Sequence, residues 1–82
     1  MKVVLLPQAA EDLDTIYDPV LTRVLRRLRL LERFPDFGAA MTGPFAGYRS
    51  TAVEMFRIVY RVRTAKVVEV AYIRHARRAL PA

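Results

Sequence analysis

Arginine side chains and a single histidine in the segment "FRIVYRVRTAKVVEVAYIRHARR" are the groups best suited to chemistry. Arg57 and Arg61 alternate with apolar residues, and His75 precedes Arg77 and Arg78. Guanidinium groups bind phosphates and carboxylates through planar, paired hydrogen bonds and stay charged when partly buried. A single histidine more often packs or hydrogen-bonds locally than takes part in a reaction. The segment therefore predicts a surface for an anionic ligand.

Alternation along the first predicted strand of this segment separates its side chains into two faces. One face carries Phe56, Ile58, Tyr60 and Val62, and the other carries Arg57, Val59, Arg61 and Arg63. The apolar set is predicted to pack on the core and the basic set to face solvent. Arg63 lies beside the turn and is interpreted as a solvated edge charge. Arg57 lies mid-strand, where a charge has no structural role, and is the functional candidate.

The orientation of His75 depends on the register of the next predicted strand. On that strand, Val68, Val70 and Tyr72 are expected to alternate with Glu69, Ala71, Ile73 and His75. If the apolar faces of the two strands match, His75 joins Arg57 and Arg61 on the open side. A slip of one residue would turn His75 toward the core.

The composition indicates a partner of opposite charge. Fourteen Lys and Arg residues against eight Asp and Glu give a net charge of +6 and a pI near 10.5. Such a field attracts nucleic acid, an anionic membrane surface or an acidic protein. Because the chain has no cysteine and one histidine, no disulfide, metal site or cofactor is expected. The lack of cysteine also fits a reducing cytoplasm, the predicted location.

The predicted architecture is an α+β domain over residues 1–82, with the element order β-α-α-β-β-β and a helical hairpin on one face of a mainly antiparallel sheet. The predicted elements are a strand over 2–6, a helix from Pro7, a helix over about 19–34, and strands over 48–52, 53–63 and 67–75. Residues 34–47 contain every glycine and are expected to form a loop. The apolar run at the N-terminus is too short for a signal peptide or a membrane span.

The second helix is amphipathic. Its predicted apolar arc consists of Val20, Leu21, Val24, Leu25, Leu28 and Leu31, and the opposite arc of Arg23, Arg26, Arg27, Arg29 and Arg33. Asp18 is predicted to cap this helix, and Pro19 fits its first position. Leu30 lies among the arginines and is expected to be exposed or to contact a partner.

Four motifs of the chain resemble the RelE/ParE superfamily of type II toxin–antitoxin toxins. They are "ERFPDFG" at 32–38, "GYR" at 47–49, "FRIVYRV" at 56–62 and "HARR" at 75–78. The similarity runs from about Leu5 to Leu80, with the elements in the same order. The resemblance implies a toxin that is held by an acidic antitoxin protein.

The RelE-like branch of the superfamily cleaves mRNA on the ribosome. The resemblance implies that Arg57 binds the scissile phosphate, with Arg49 as a second cation and Arg77 or Arg78 as a third. It also implies His75 as general acid or base, with Arg61 and Arg78 as RNA-binding residues. The chain departs from this branch because its tail "ALPA" lacks the usual tyrosine and lysines, and because Thr51 replaces a basic residue.

Two alternatives remain beside an enzyme that cleaves RNA. The ParE-like branch poisons DNA gyrase without catalytic residues, and a degenerate toxin would retain only its antitoxin-binding surface. The sequence interpretation favours ribosome-dependent endoribonuclease activity and keeps both alternatives.

Overall fold

The computed structural model describes residues 1–80, so the last two residues of the predicted domain lie outside the described part. Within residues 1–80 the helices are α1 (Pro7–Asp14) and α2 (Val20–Arg33). The strands there are β1 (Lys2–Leu5), β2 (Ala39–Ala40), β3 (Arg49–Val53), β4 (Phe56–Thr64) and β5 (Val67–His75). The predicted order of elements is confirmed, and β2 is an additional short strand within the segment predicted as a loop.

The strands described in residues 1–80 form one five-stranded sheet in the order β1-β5-β4-β3-β2. β1 runs parallel to β5, and the remaining neighbours are antiparallel. Both helices pack on one face of this sheet, α1 mainly against β5 and α2 against β1 and β3. The α+β fold class is therefore confirmed, and neither α1 nor α2 covers the other face of the sheet.

The core lies between the helices and the apolar side of β4 and β5. Val24, Leu28 and Leu31 of α2 are buried against a cluster that includes Ile58 and Tyr60 of β4. Burying each such aliphatic side chain contributes about 1.5–3 kcal/mol, so this layer supplies most of the driving force for folding. The predicted orientation of the apolar side of β4 is therefore confirmed at its centre.

The start of α2 is stabilised by Asp18. The Asp18 carboxylate accepts hydrogen bonds from the Thr22 hydroxyl at 2.6 Å and from the Thr22 N–H at 3.0 Å. The hydroxyl bond and then the N–H bond lower the pKa of Asp18, because both favour its charged form. Pro19 lies immediately before the helix rather than at its first residue, so α2 begins at Val20.

The motif "FPDFG" forms a turn that β3 and β4 hold in place. The Tyr60 hydroxyl donates to the Pro35 carbonyl at 2.6 Å and accepts the Gly38 N–H at 2.8 Å. Arg49 donates to the Gly38 carbonyl at 2.8 Å. A Cβ atom on residue 38 would lie 2.8 Å from the Ser50 carbonyl oxygen and 2.8 Å from the Tyr60 hydroxyl, so only glycine fits. Burial raises the pKa of Tyr60.

Candidate functional site

An irregularity in β5 determines which side chains reach the open face of the sheet. Val59 pairs with Tyr72 and Tyr60 pairs with Val70, so Ala71 is an extra residue between them. Such a bulge reverses the alternation of all later residues of the strand. Residues that pair directly across two strands project on the same face. Tyr72 therefore lies on the open face, contrary to the predicted alternation.

His75 lies on the helix-facing side of the sheet, so its predicted position beside Arg57 and Arg61 is wrong. It pairs with Phe56, and the two rings meet edge to face at 5.6 Å between centroids. Phe56 packs against the core cluster. The Nδ1 atom of His75 accepts the N–H of Arg77 at 3.2 Å. The extra residue at Ala71 is the physical cause, because it reverses the face of the sheet on which His75 projects.

Arg49 also lies on the helix-facing side, because it pairs with Tyr60 across β3 and β4. Its guanidinium is engaged by the "FPDFG" turn through the Gly38 carbonyl and lies 3.8 Å from the Asp36 carboxylate. Arg57 pairs with Ala52 on the opposite face. The predicted convergence of Arg49 and Arg57 is therefore wrong, and Arg49 has a structural role in fixing the turn.

Arg61 lies on the open face as predicted, but it is part of an ion-pair network. Its Nε atom lies 3.0 Å from Oε1 of Glu69, and Nη1 of Arg63 lies 2.6 Å from Oε2 of the same carboxylate. Glu69 is buried, and the hydrogen bonds from Arg63 and then Arg61 lower its pKa despite the opposing effect of burial. Arg63 is therefore paired rather than merely solvated.

Arg57 faces the open side directly opposite Arg74 of β5. The Arg57 side chain is half-buried, and within residues 1–80 its guanidinium makes no hydrogen bond or ion pair. Only 13% of the Arg74 side chain is exposed, and its Nε atom is buried without an acceptor. Sequence reasoning missed Arg74, because it comes to this face only through the bulge.

β1 pairs with β5 only as far as Val70, and Asp12 of α1 binds the part of β5 that follows. Its Oδ2 atom accepts the Ile73 N–H at 3.0 Å and lies 3.8 Å from Nε of Arg74. Its Oδ1 atom accepts a hydrogen bond from Gln8 at 3.0 Å. Asp12 therefore replaces the missing strand neighbour at this edge and places a negative charge near Arg74.

Arg77 and Arg78 follow β5 in a turn and are exposed. The Arg78 N–H donates to the His75 carbonyl at 2.9 Å, which closes the turn. No side chain among residues 1–80 hydrogen-bonds to either guanidinium, and their role in binding phosphate stays a prediction.

An aromatic cluster covers the centre of the open face. Phe45 contacts Tyr48 at 5.7 Å and Tyr72 at 6.1 Å between ring centroids. The guanidinium of Arg61 lies 5.4 Å from the centre of the Tyr48 ring, and that of Arg74 lies 5.2 Å from the centre of the Tyr72 ring. This cluster, which we call the Phe45 cluster, consists of Phe45, Tyr48 and Tyr72. The Phe45 cluster makes the open face less exposed to solvent than the alternating pattern of β4 predicts.

A second surface lies between α2 and the end of β3 that β2 does not pair with. Arg23, Arg26, Arg27 and Leu30 line a groove of about 390 Å³ together with residues 52–54. Arg27 donates to the Thr51 hydroxyl and, at 3.0 Å, to the Ala52 carbonyl, and its guanidinium lies over the Phe37 ring. Leu30 is half-buried in this groove. Thr51 is buried and accepts the hydrogen bond from Arg27, so it is part of the packing there.

Residues 1–80 contain no group of three His, Cys, Asp or Glu side chains placed to hold a metal ion. No helix in this part is long and apolar enough to cross a membrane.

Residues 3–80 of the chain match the family described as the ParE toxin of type II toxin–antitoxin systems, parDE. No curated protein matches the chain in sequence.

Several solved structures share the fold. The toxin–antitoxin complex RelBE2 from Mycobacterium tuberculosis is 24% identical, with a TM-score of 0.80 over 89% of this chain and 94% of that chain. The chromosomal ParDE system from P. aeruginosa is 22% identical, with a TM-score of 0.74 over 92% and 95%. The YoeB–YefM complex from Staphylococcus aureus is 18% identical, with a TM-score of 0.76 over 92% and 95%.

These neighbours include both RelBE and ParDE systems, so the shared fold does not separate the branches of the superfamily. The family match over residues 3–80 confirms the resemblance to the RelE/ParE superfamily. The chain belongs to the ParE toxin family of type II toxin–antitoxin systems.

Proposed function

We propose that this toxin acts by binding its target without cleaving RNA, as the ParE-like branch does with DNA gyrase. The observation that supports this is the division of the predicted catalytic residues between the two faces of the sheet. Arg57 lies on the open face, whereas Arg49 and His75 lie on the helix-facing side. Groups on opposite faces of a sheet project in opposite directions, which argues against a shared phosphate.

Phosphoryl transfer needs a proton donor or acceptor within about 2.6–3.2 Å of the reacting oxygen. It also needs cations that converge on the charge of the transition state. Here Arg49 is bonded to a backbone carbonyl of the "FPDFG" turn, and Arg61 is bonded to Glu69. The open face therefore offers Arg57 without the acid–base group that the RelE-like mechanism assigns to His75.

The basic surface also supports an acidic antitoxin as the partner. The net charge of +6 favours association with an acidic protein chain. The groove beside Leu30 combines an apolar side chain with three arginines, one of which (Arg23) is already paired with Glu54, and this suits an amphipathic acidic segment. The solved relatives RelBE2, ParDE and YoeB–YefM are toxin–antitoxin systems or complexes, which supports the same kind of partner here.

Ribosome-dependent mRNA cleavage is the second candidate, because the Arg57 guanidinium faces the open side without a partner among residues 1–80.

Controlled induction of the toxin in cells separates the two functions. We expect growth arrest with loss of plasmid supercoiling, uncut mRNA, and full toxicity of His75→Gln. Codon-specific mRNA ends that vanish in His75→Gln or Arg57→Ala would instead establish the nuclease. Growth unaffected by induction would show a degenerate toxin.

A further inference from the structure

Two arginine residues lie directly opposite each other on the open face of the sheet. Arg57 and Arg74 are paired across β4 and β5, and directly opposite Cβ atoms in such pairs are about 4.5–5.5 Å apart. Like charges at this position repel each other. A negative charge that contacts both guanidiniums would remove that repulsion.

Other groups of the protein neutralise the positive charge of Arg57 and Arg74 only in part. The Asp12 carboxylate is 3.8 Å from Nε of Arg74, beyond hydrogen-bonding distance, and that Nε is buried without an acceptor. The Tyr72 ring contacts Arg74 through a cation–π interaction. In the described residues 1–80 Arg57 has neither a carboxylate nor an aromatic ring as partner. The uncompensated charge is therefore greatest at Arg57.

The other arginines of β4 do not share this property. Arg61 and Arg63 both bind the Glu69 carboxylate, so their charge is partly neutralised within the protein. Positive charge on the open face is thus concentrated at Arg57 and Arg74. This concentration defines a small site rather than a diffuse basic surface.

We propose that Arg57 and Arg74 together bind a carboxylate side chain of the acidic antitoxin, and this inference rests on the proposed function. A carboxylate has two oxygens and can accept hydrogen bonds from both guanidiniums at once. Its single negative charge offsets the repulsion between the two arginines. The pair therefore selects an aspartate or glutamate of the partner protein.

The Phe45 cluster favours a carboxylate over single-stranded RNA at this site. RNA-binding surfaces of this kind stack bases on exposed aromatic rings. Here the ring of Tyr72 contacts Phe45 and the guanidinium of Arg74, and that of Tyr48 contacts Phe45 and the guanidinium of Arg61. These rings are already engaged, so the site offers charge without free stacking surface.

Side-chain NMR of the full chain tests the proposal, with a blocked hexaglutamate peptide and a single-stranded RNA hexamer as probes. We expect the peptide to shift the Nε–Hε signals of Arg57 and Arg74 more than that of Arg29, which is exposed on α2. Arg57→Gln is expected to weaken peptide binding about tenfold, the loss of one charge-assisted hydrogen bond, and to abolish the shift at Arg74. The RNA is expected to leave both signals in place.

Arg29→Gln is the matched control, because it removes the same charge from a different surface. Equal weakening by Arg29→Gln and Arg57→Gln would overturn the proposal, since binding would then reflect only the net charge. An RNA-induced shift at Arg57 and Arg74 as large as the peptide-induced shift would overturn it in favour of a phosphate site. Arg57→Gln leaves the contacts between Asp12 and Arg74 intact, and circular dichroism checks its fold. The NMR assay reports only on the carboxylate site. The proposed function is tested separately, by plasmid supercoiling and mRNA integrity in cells, so the two can fail independently.

Discussion

The hydroxyl of Tyr60 is the main link between the sheet and the "FPDFG" turn, and its removal tests how that turn is held. Tyr60→Phe deletes the bond to the Pro35 carbonyl and leaves the buried Gly38 N–H without its acceptor. A buried donor without a partner costs about 1–3 kcal/mol, so we expect the free energy of unfolding to fall by about 2 kcal/mol. In a domain of this size that loss lowers Tm by about 8–16 °C, at 4–8 °C for each kcal/mol.

Urea unfolding followed by circular dichroism measures this loss. Tyr72→Phe is the matched control, because the Tyr72 hydroxyl makes no hydrogen bond within residues 1–80 and only its ring is engaged. We expect that variant to unfold within about 0.5 kcal/mol of the original chain. Equal stabilities of the two variants would refute the assignment of the Tyr60 hydroxyl as the anchor of the turn.

Substitutions at three further residues test neighbouring parts of the structure. Gly38→Ala is expected to lower the free energy of unfolding by about 1–3 kcal/mol, because its Cβ would meet two oxygens at 2.8 Å; unchanged urea unfolding would contradict this. Asp12→Ala should cost about 1–3 kcal/mol by leaving the Ile73 N–H unpaired, whereas Asp12→Asn retains an acceptor and should recover most of that loss in the same assay. The pKa of Glu69 is lowered in the folded state, so its contribution is complete above its ordinary pKa of about 4.5 and is lost as pH falls through the lower folded value. The stability difference between the original chain and Glu69→Gln should therefore shrink in acid unfolding series below pH 4.5, and a constant difference would contradict the ion-pair network.

Hydrophobic patterning predicts the elements of this chain well, because burial of one face dictates the spacing of apolar residues. β5 spans Val67–His75, the residues assigned to it from sequence. The sequence pattern predicts Val53 at the start of the long strand, yet Val53 ends β3. Glu54 has a φ of 53° and turns the chain there without a glycine, so the turn has no local sequence signal.

The candidate site could be predicted only in part, because its composition depends on strand register. The open orientation of Arg57 follows from alternation along β4 alone, and the structure agrees. The positions of His75 and Arg74 depend on the extra residue at Ala71, and neither glycine nor proline marks that bulge. The buried edge bond from Ile73 to Asp12 connects residues far apart in sequence, so no local pattern indicates it.

Under the proposed function, the bulge at Ala71 matters more than the order of the elements, because it sets which side chains reach the open face. Without it, His75 would share the open face with Arg57, as the RelE-like mechanism requires; with it, Arg74 takes that place. Solved structures of RelBE and ParDE systems share the same fold at 24% and 22% identity, so the fold accommodates both branches. Under the proposed function, the residues that the register of β4 and β5 brings to the open face separate a binding toxin from a nuclease. In this chain the register pairs two arginines on the open face and places no acid–base group beside them, which under the proposed function is a better arrangement for holding a carboxylate than for cleaving a phosphodiester.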